Sequence, residues 1–439
     1  MMGEAAMGEI PFPETYLHGL IYGKSYWRQP EGGPVMYVTE QERKEFDLGK
    51  TPPKDVQSKW EKMSKSKGNI IDPYEIINEY GTDACRMALA SSATSMPQID
   101  LDRRRFEEFK NFANKIWNGT RFVLMNVEDL TPLTFAEGLD EALLTLEDRW
   151  ILSRLNDVAK EVHRSLAVYS FDRATSVAYD FFWNEFCAYY LEIIKPVLFG
   201  KTGNDSVRKN KQKMLVIVLL QAVRLLHPMA PFITEELFQL LKERFALDAA
   251  PTCPYTQEAL TALQAKGCIV SCYPKPIDAH TSKEAEGTFD LLSKLTYTIR
   301  NIRGEMKVPI GVACDVCIIG RESDPEFIVA REHAYLVNSL VKNKSLTFAT
   351  ESPNTHGSKT MVNNLQLCVL VPSEMKEQEK ARLLKEEEKL IRNLEGLDQK
   401  LSNTSFLEKA PQEVVKKLFE SKSQFTMQLE TIKCELQKL

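Results

Sequence analysis

Residues 60–73 read WEKMSKSKGNIIDP, and this stretch decides how the first part of the chain is interpreted. Lys62, Lys65 and Lys67 alternate with two serines, a Gly-Asn pair follows, and an apolar step leads into Asp72-Pro73. An aspartate followed by proline predicts that a helix begins here, with the proline at its first position. The stretch is therefore a short loop of mobile positive charge that ends at the start of a helix.

The residue types in this loop are suited to binding phosphate. Lysine carries a compact charge on a flexible stem, and serine and glycine let backbone N–H groups approach anionic oxygens. A mobile set of cations of this kind can stabilise a triphosphate while pyrophosphate departs. The loop is not a P-loop, because GxxxxGK[ST] is absent from the sequence. A solvated surface loop explains the same residues without any ligand, and residue chemistry alone leaves both interpretations open.

The composition is that of a folded globular protein with more than one domain. Of the 439 residues, 43% are hydrophobic and 27% are charged, and the formal net charge is −5 at pH 7. This length leaves room for roughly two to four domains. The charge balance gives no global reason to bind nucleic acid and does not exclude it, so any RNA contact must come from local patches.

Neither a membrane span nor an export signal is predicted. The apolar run MLVIVLLQAV from Met214 is about half the roughly twenty residues that a bilayer requires, and it predicts a buried bundle helix. The start, MMGEAAMGEIPFPETYLHGL, lacks the features of a targeting peptide and reads as the middle of a domain. The odd number of cysteines, nine, then predicts free thiols in a cytoplasmic protein.

Cys314 and Cys317 form the one close cysteine pair, in VACDVCIIG. A redox or metal site is one interpretation, and two strand residues on opposite faces is the other. Because no second CxxC follows at zinc-binding spacing, the strand is favoured and no metal site is predicted.

The first hundred residues predict a strand, an insertion and two helices. Residues 14–22, ETYLHGLIY, are rich in β-forming side chains and predict a short buried strand. A polar insertion over residues 23–53 contains a helical turn in TEQERKEFDLGK. After the lysine loop, Asp72 caps a helix that ends at Gly81, and a second helix begins at Asp83.

From Leu101 to about residue 305, apolar residues recur at helical spacing, and short Pro- or Gly-containing breaks predict an antiparallel bundle. The aromatic run YDFFWNEFCAYY, residues 179–190, is expected mainly in the core, although bundle aromatics are also candidates for stacking on unpaired bases. The apolar face expected for the first helix comprises Phe106, Phe109, Phe112, Ala113, Ile116 and Trp117.

The pattern changes twice in the remaining residues. VACDVCIIG, SLTFATE and NNLQLCVLVP read as strands with a helical stretch after the first, which predicts a small α/β module. From residue 373, apolar residues recur at coiled-coil spacing on both sides of NTSFLEKAPQE. Two such helices predict an antiparallel hairpin, and pairing between two chains is the alternative.

KMSKSKGN, residues 62–69, matches the second signature of the class I aminoacyl-tRNA synthetases. The resemblance implies a loop that follows the second half of a Rossmann domain and binds ATP, with Mg²⁺ accompanying the nucleotide. Carried over by position, Lys62 and Lys65 would be catalytic and would stabilise attack of the amino-acid carboxylate on the α-phosphate. The implied ATP-binding residues are Lys62, Met63, Ser64, Lys65 and Ser66, with Lys65 as the principal contact.

Residues near the carboxyl terminus resemble one branch of this class. The isoleucine, leucine and valine enzymes share the loop signature, so the loop does not separate them. Residues 402–415, SNTSFLEKAPQEVV, resemble the tip of the tRNA-binding arm of valyl-tRNA synthetases, and residues 299–309, IRNIRGEMKVP, resemble their linker. The sequence contains neither the cysteine-ligated zinc module typical of isoleucine enzymes nor the HxGH signature, and the editing domain is expected upstream.

The implied fold is multidomain and mainly α. Arg103, Arg104 and Arg105 form a candidate phosphate patch for RNA, with a solvated helix face as the alternative. The implied domains are the end of a Rossmann-type catalytic domain (1–100), a stem-contact helical segment (101–145), an α-helical anticodon-binding domain (146–305), a small α/β module (306–372) and a coiled-coil tRNA-binding arm (373–439).

The implied activity is ATP-dependent ligation of valine to its cognate tRNA through valyl-adenylate, by a cytoplasmic enzyme that is a monomer when complete. Its partners would be valine tRNA, valine and ATP, with no membrane. The chain alone is expected to be inactive, because the first signature is missing. The alternatives are an isoleucyl- or leucyl-tRNA synthetase and a non-catalytic tRNA-binding or assembly factor, although such a factor has no use for a triphosphate clamp.

Overall fold

The computed structural model describes residues 2–10, 14–94, 96–309, 311–352, 357–370 and 376–402, together with single residues and short runs between 418 and 433. The chain separates into two compact units, Met1–Glu286 and Gly287–Leu439. Helices predominate among the described residues, and each unit contains one four-stranded sheet of mixed strand direction. The mainly helical class predicted from the sequence is confirmed at this level.

The first unit begins with a small sheet built around one long strand. In chain order its elements are α1 (Met2–Met7), β1 (Leu20–Arg28), β2 (Met36–Tyr37), α2 (Glu40–Asp47), β3 (Val56–Lys62), α3 (Pro73–Tyr80), α4 (Thr82–Ser92) and β4 (Gln98–Asp100). β1 pairs antiparallel with β2 and β3 and parallel with β4. The helical turn expected in the insertion is therefore confirmed as α2.

The strand predicted over residues 14–22 is wrong in position. It begins only at Leu20 and continues to Arg28, through residues that were expected in the polar insertion. The physical reason is tertiary, because β3 provides a pairing edge for the whole stretch from Tyr22 to Arg28. Ser25 and Tyr26 are buried as a result, although neither lies in a hydrophobic run.

The two helices after the lysine loop are confirmed with their caps. Asp72 accepts a hydrogen bond from the backbone N–H of Tyr74 at 2.9 Å, which supplies a partner at the start of α3. Gly81 has φ +93°, a conformation that favours glycine, and it separates α3 from α4. Local sequence signals are sufficient here because both caps use residues adjacent to the helix ends.

A helical bundle fills the rest of the first unit. Its helices are α5 (Arg104–Asn126), α6 (Pro132–Ala136), α7 (Leu146–Ala167), α8 (Phe171–Asp180), a π-helical segment (Phe181–Tyr190), α9 (Leu191–Leu198), α10 (Asp205–Leu226), α11 (Pro231–Phe245) and α12 (Pro254–Leu263). Every residue of α10 from Asn210 to Leu226 is buried, as the apolar run from Met214 predicts. On α5 most of the apolar face predicted from the spacing is buried, but its last residue, Trp117, is 45% exposed.

The aromatic run lies mainly in the core. Phe181, Phe182, Phe186 and Tyr190 are buried, whereas Trp183 is only partly buried and stacks on Tyr179 with ring centroids 5.7 Å apart. The ten-residue π-helical stretch was not predicted, because its i to i+5 hydrogen bonds leave no simple signal in residue spacing.

The second unit contains the α/β fold. Its elements are α13 (Lys283–Glu305), which begins in the first unit, then β5 (Cys314–Ile319), α14 (Pro325–Glu332), α15 (Ala334–Leu340), β6 (Asn343–Ala349), β7 (Gly357–Val362), β8 (Leu365–Leu370) and α16 (Lys376–Leu401). The strand order is β6-β5-β8-β7. The three predicted strands are present, and β7 was missed because it gains its regularity from pairing with β8.

Cys314 and Cys317 are both buried residues of β5. In the part of the chain that the structure describes, no group of three or more His, Cys, Asp or Glu side chains is placed to hold a metal ion. Among the same residues, no helix combines the length and the apolar character that crossing a bilayer requires.

The predicted terminal hairpin is described only in part. Leu383 and Leu390 of α16 pack with Ile432, and Phe425 and Leu429 lie against them. The expected tip of the hairpin, between residues 403 and 417, lies outside the described residues. The antiparallel coiled coil therefore stays a prediction.

Candidate functional site

The lysine loop connects the end of β3 to α3. Lys62 is the last residue of β3, Ser64 has an extended backbone, and Lys65–Lys67 form one 3₁₀ turn. Gly68 follows with φ +63° and donates its N–H to the carbonyl of Lys65 at 3.2 Å. The left-handed glycine ends the turn and directs the chain back towards the sheet.

The side chain of Asn69 fixes both ends of the loop. Its amide oxygen accepts the backbone N–H of Ser64 at 2.7 Å. Its amide nitrogen lies 3.3 Å from three backbone carbonyls, those of Gly23, Glu61 and Lys62. Because Asn69 is 1% exposed, these contacts replace water and hold the base of the loop against β1 and β3.

Gly23 permits this close approach. A Cβ atom at this position would lie 2.1 Å from the carbonyl oxygen of Asn69, far inside any acceptable contact. The backbone after the loop therefore passes directly over β1 at the one residue that has no side chain.

The three loop lysines differ in their electrostatic partners. The ammonium of Lys67 pairs with the carboxylate of Glu61, and this hydrogen bond raises the pKa of Lys67. The hydrogen bond from Lys67 lowers the pKa of Glu61. Lys62 and Lys65 are exposed, and neither has an acidic partner within ion-pair distance among the described residues. Two cations are therefore available to an anionic ligand, and the third is held by the protein.

The hydroxyl groups of the loop are also close together. The Oγ atoms of Ser64 and Ser66 lie 2.9 Å apart and form a hydrogen bond with each other. Met63 is partly buried, and its Cγ would lie 3.4 Å from a Cβ at position 23. The five signature residues thus form one continuous segment in which Met63 and Ser64 are partly buried and Lys62, Lys65 and Ser66 are exposed.

The candidate RNA patch does not form as expected. Arg103 is 3% exposed, hydrogen-bonds Glu75 at 3.3 Å and lies 3.8 Å from Asp47. The expectation that Arg103 lies on the surface is wrong, because its guanidinium is buried where it pairs with these acidic residues. Arg104 is exposed but pairs with Asp102, and Arg105 is exposed with no ion pair among the described residues. The prediction of RNA contact then depends on Arg104 and Arg105.

Four residues of this site were not identified as functional from the sequence. Asn69 and Gly68 form the Gly-Asn pair that follows the lysines, and this pair was the available signal. No local sequence signal pointed to Gly23 or Glu61, because the role of each residue depends on a contact that forms only when β1 and β3 pair.

Three family models match successive parts of the chain. They are described as tRNA synthetases class I (I, L, M and V), over residues 56–102, the anticodon-binding domain of tRNA ligase, over 148–318, and the valyl tRNA synthetase tRNA binding arm, over 377–439. The first contains the whole lysine loop, including Lys62 and Lys65. These matches place the chain in the class I aminoacyl-tRNA synthetases.

Curated relatives narrow the class to one branch. The chain is 55% identical, over its whole length, to a valine–tRNA ligase of Protochlamydia amoebophila, of which it covers 47%. It is 42% identical to a valine–tRNA ligase of Chlamydia caviae over 98% of its residues, covering 46% of that protein. The chain belongs to the valine–tRNA ligase family and spans about half the length of the curated relatives it matches.

Proposed function

We propose that this chain contributes the ATP-clamping loop and the tRNA-binding parts of an enzyme that ligates valine to its cognate tRNA. The observation that carries the proposal is that the base of the loop is fixed while two of its cations are unpaired among the described residues. Its base is fixed by Asn69, while Lys62 and Lys65 have no acidic partner among the described residues and are free to follow phosphate. A loop held at its ends with free cations at its turn suits a ligand whose charge moves during reaction.

The proposed reaction forms valyl-adenylate. The carboxylate of valine attacks the α-phosphorus of ATP, the bond from that phosphorus to the bridging oxygen of the β-phosphate breaks, and pyrophosphate leaves with the bonding electrons. Lys65 is the principal ATP contact, and Lys62, Met63, Ser64 and Ser66 complete the binding segment. Charge increases on the departing diphosphate, so a lysine that contacts it lowers the barrier more than it stabilises bound ATP.

Mg²⁺ would enter this reaction with the nucleotide. The described residues contain no group of three or more metal-binding side chains, so phosphate oxygens and water would supply most of its ligands. The metal would neutralise phosphate charge that the two lysines do not reach.

The tRNA would contact the chain through several parts. The proposed division is a catalytic-domain end at 1–100, a stem-contact segment at 101–145, an anticodon-binding domain at 146–305, an α/β module at 306–372 and a coiled-coil arm at 373–439. Arg104 and Arg105 are the proposed phosphate contacts near the loop. The family models for anticodon binding and for the arm support this division without fixing its boundaries. The complete enzyme is proposed to be a cytoplasmic monomer.

A chimera tests the proposal directly. The corresponding part of the Protochlamydia amoebophila relative is replaced by this chain, and ATP–pyrophosphate exchange is measured with valine, isoleucine and leucine. Exchange that requires valine is expected, with Lys65→Ala reducing it by about a hundredfold or more. The matched control is Lys59→Ala, which removes an exposed lysine of β3 outside the loop. Exchange supported best by isoleucine, or unchanged by Lys65→Ala, would overturn the proposal.

A further inference from the structure

A cavity of about 450 Å³ borders the exit of the lysine loop. Asn69 and Ile71 form part of its wall, so the residue that fixes the loop also faces the cavity. Its volume lies within the roughly 300–1,000 Å³ range of small-ligand sites. Lys62 and Lys65 do not line it, which makes it distinct from the proposed ATP clamp.

The charges around this cavity are unbalanced. The carboxylates that pair with Lys50 and Arg103, on Glu45 and Glu75, are not part of the wall. The side chains that line it include five cationic and two acidic ones, namely Lys24, Arg43, Lys50, Arg103 and Arg104 against Asp47 and Asp102. Three of these cations are in ion pairs, Lys50 with Glu45, Arg103 with Glu75 and Arg104 with Asp102. Arg43 and Lys24 have no ion pair among the described residues, and their positive charge in a polar, partly enclosed space favours an anionic ligand.

Arg43 is the main reason to expect a ligand. It is 6% exposed, and no carboxylate lies within ion-pair distance of it among the described residues. One terminal nitrogen donates to the carbonyl of Ile70 at 2.8 Å, while its Nε has no hydrogen-bond partner. A buried guanidinium with an unmet donor is costly, and a bound anion would supply the missing acceptor.

A second buried guanidinium has the same unmet donor. The Nε of Arg103 makes no hydrogen bond, and the nearest paired carboxylate oxygen, on Asp47, is 3.8 Å away. Arg103 and Arg43 lie close enough that the positive charge of Arg103 contributes, after burial, to lowering the pKa of Arg43. Asp47, Glu40 and Glu75 oppose this repulsion, but none of them accepts a hydrogen bond from the Nε of either arginine, so a bound anion would supply that acceptor.

Lys24 provides a third cation at the wall. Its Nζ lies 5.3 Å from the ring centroid of Tyr26 and 5.9 Å from that of Trp60, and no carboxylate of the described residues lies within ion-pair distance of it, although its charge contributes to lowering the pKa of Asp102. The two aromatic rings hold the ammonium at the cavity without neutralising it.

We propose that this cavity is a second anion site, which binds a phosphate-type anion through Arg43, Arg103 and Lys24. Pyrophosphate and the backbone phosphates of RNA share the required chemistry, since each presents several charged oxygens to guanidinium and ammonium donors. The site does not depend on the proposed role of Lys62 and Lys65.

Equilibrium dialysis with radiolabelled inorganic pyrophosphate tests the site. The chain carrying Lys62→Met and Lys65→Met removes the loop cations and leaves the cavity intact. Saturable binding with one pyrophosphate per chain is expected in this background. Adding Lys24→Met is expected to weaken it about tenfold, and adding Arg43→Lys, which keeps the charge but loses Nε, is expected to weaken it similarly. Lys59→Met, on the same sheet but outside the cavity wall, is the matched control.

Two results would overturn the proposal. One is loss of all pyrophosphate binding in the Lys62→Met/Lys65→Met chain. This result would refute the second site, and it would not contradict the proposed role of Lys62 and Lys65 in binding ATP. The other is unchanged binding after both Lys24→Met and Arg43→Lys, with circular dichroism confirming that each variant is folded. Competition by a valine tRNA transcript distinguishes RNA phosphate from a free anion as the natural ligand. If the transcript displaces pyrophosphate, RNA phosphate is a ligand of the site. If the transcript does not displace pyrophosphate, the site binds the free anion.

Discussion

The carboxylate of Asp83 accepts the backbone N–H of Ile233 at 2.7 Å, although the two residues are 150 positions apart. Its second oxygen accepts the N–H of Phe232 at 3.1 Å. Arg86, one turn further along α4, donates to the carbonyl of Pro228 at 2.9 Å. Helix α4 therefore caps α11 of the bundle, whose first N–H groups have no partner within their own helix.

Removing this cap is expected to destabilise the first unit. Asp83→Ala should lower the free energy of unfolding by about 1–2 kcal/mol, because two donors at the start of α11 lose their acceptor. Urea denaturation followed by circular dichroism measures the change. Asp83→Asn is the control, since asparagine still presents an acceptor and should retain at least half of the stability that alanine loses. Equal loss in both variants would contradict the cap.

The parts of the fold that could be predicted are those whose signals are local. The start of α3 depends on Asp72 and Pro73, which are adjacent to the helix, and the burial of α10 follows from an uninterrupted apolar run. The loop was identified for the same reason, since its cations and its Gly-Asn pair lie within eight residues of sequence.

The errors come from partners that are distant in the sequence. Arg103 was expected on a surface because nothing beside it shows that Glu75 and Asp47 will meet it. β1 was placed too early because its pairing edge, β3, is formed by a later segment. The cavity beside the loop combines residues of β1, α2, β3 and α5, so no window of sequence contains its charge balance.

Lys211 is expected to be among the most sensitive positions in the bundle. It is 1% exposed, and its Nζ lies 2.7 Å from Glu147 and 2.6 Å from Asp148, both of which are buried. Burial alone would raise the pKa of Glu147, but the Lys211 ammonium outweighs burial and leaves that pKa lowered. Lys211→Met leaves two carboxylates without their cation and should cost about 3–5 kcal/mol of unfolding free energy.

Chemical denaturation at neutral pH measures the cost of Lys211→Met. The matched control is Lys209→Met on the same helix, where an exposed lysine pairs with Asp205 and the expected change is below about 1 kcal/mol. A loss at position 211 no larger than that at 209 would show that the buried carboxylates find another partner or become protonated without cost.

Glu161 gives the first unit a dependence on acid pH. Hydrogen bonds from Arg164 and then Arg173 lower its pKa from 4.5 to about 2, and the contact with Arg173 joins α7 to α8. Because the folded-state pKa is depressed, the stabilisation is fully present above about pH 4.5 and is lost as the pH falls towards 2. The melting temperature of the parent chain should therefore exceed that of Glu161→Gln at neutral pH, and the difference should vanish near pH 2.

A background without the two arginines tests the cause of this pH dependence. In an Arg164→Met/Arg173→Met chain, Glu161→Gln is expected to change the melting temperature little at any pH, because the interaction that lowers the pKa has been removed. A difference that persists with the same pH profile would assign the effect to other groups.

Asn69 is expected to control how accessible the lysine loop is. Its four contacts tie Ser64, Gly23, Glu61 and Lys62 together, so Asn69→Ala should release the base of the loop while β1 and β3 remain paired. Limited trypsin digestion measures this, because cleavage after the exposed lysines requires the loop to open locally, and a rate about tenfold higher is expected from losing hydrogen bonds worth about 1 kcal/mol each. Asn111→Ala, at an exposed position of α5, is the control and should leave the rate unchanged. If both variants are cleaved at the parent rate, the contacts of Asn69 do not hold the loop closed.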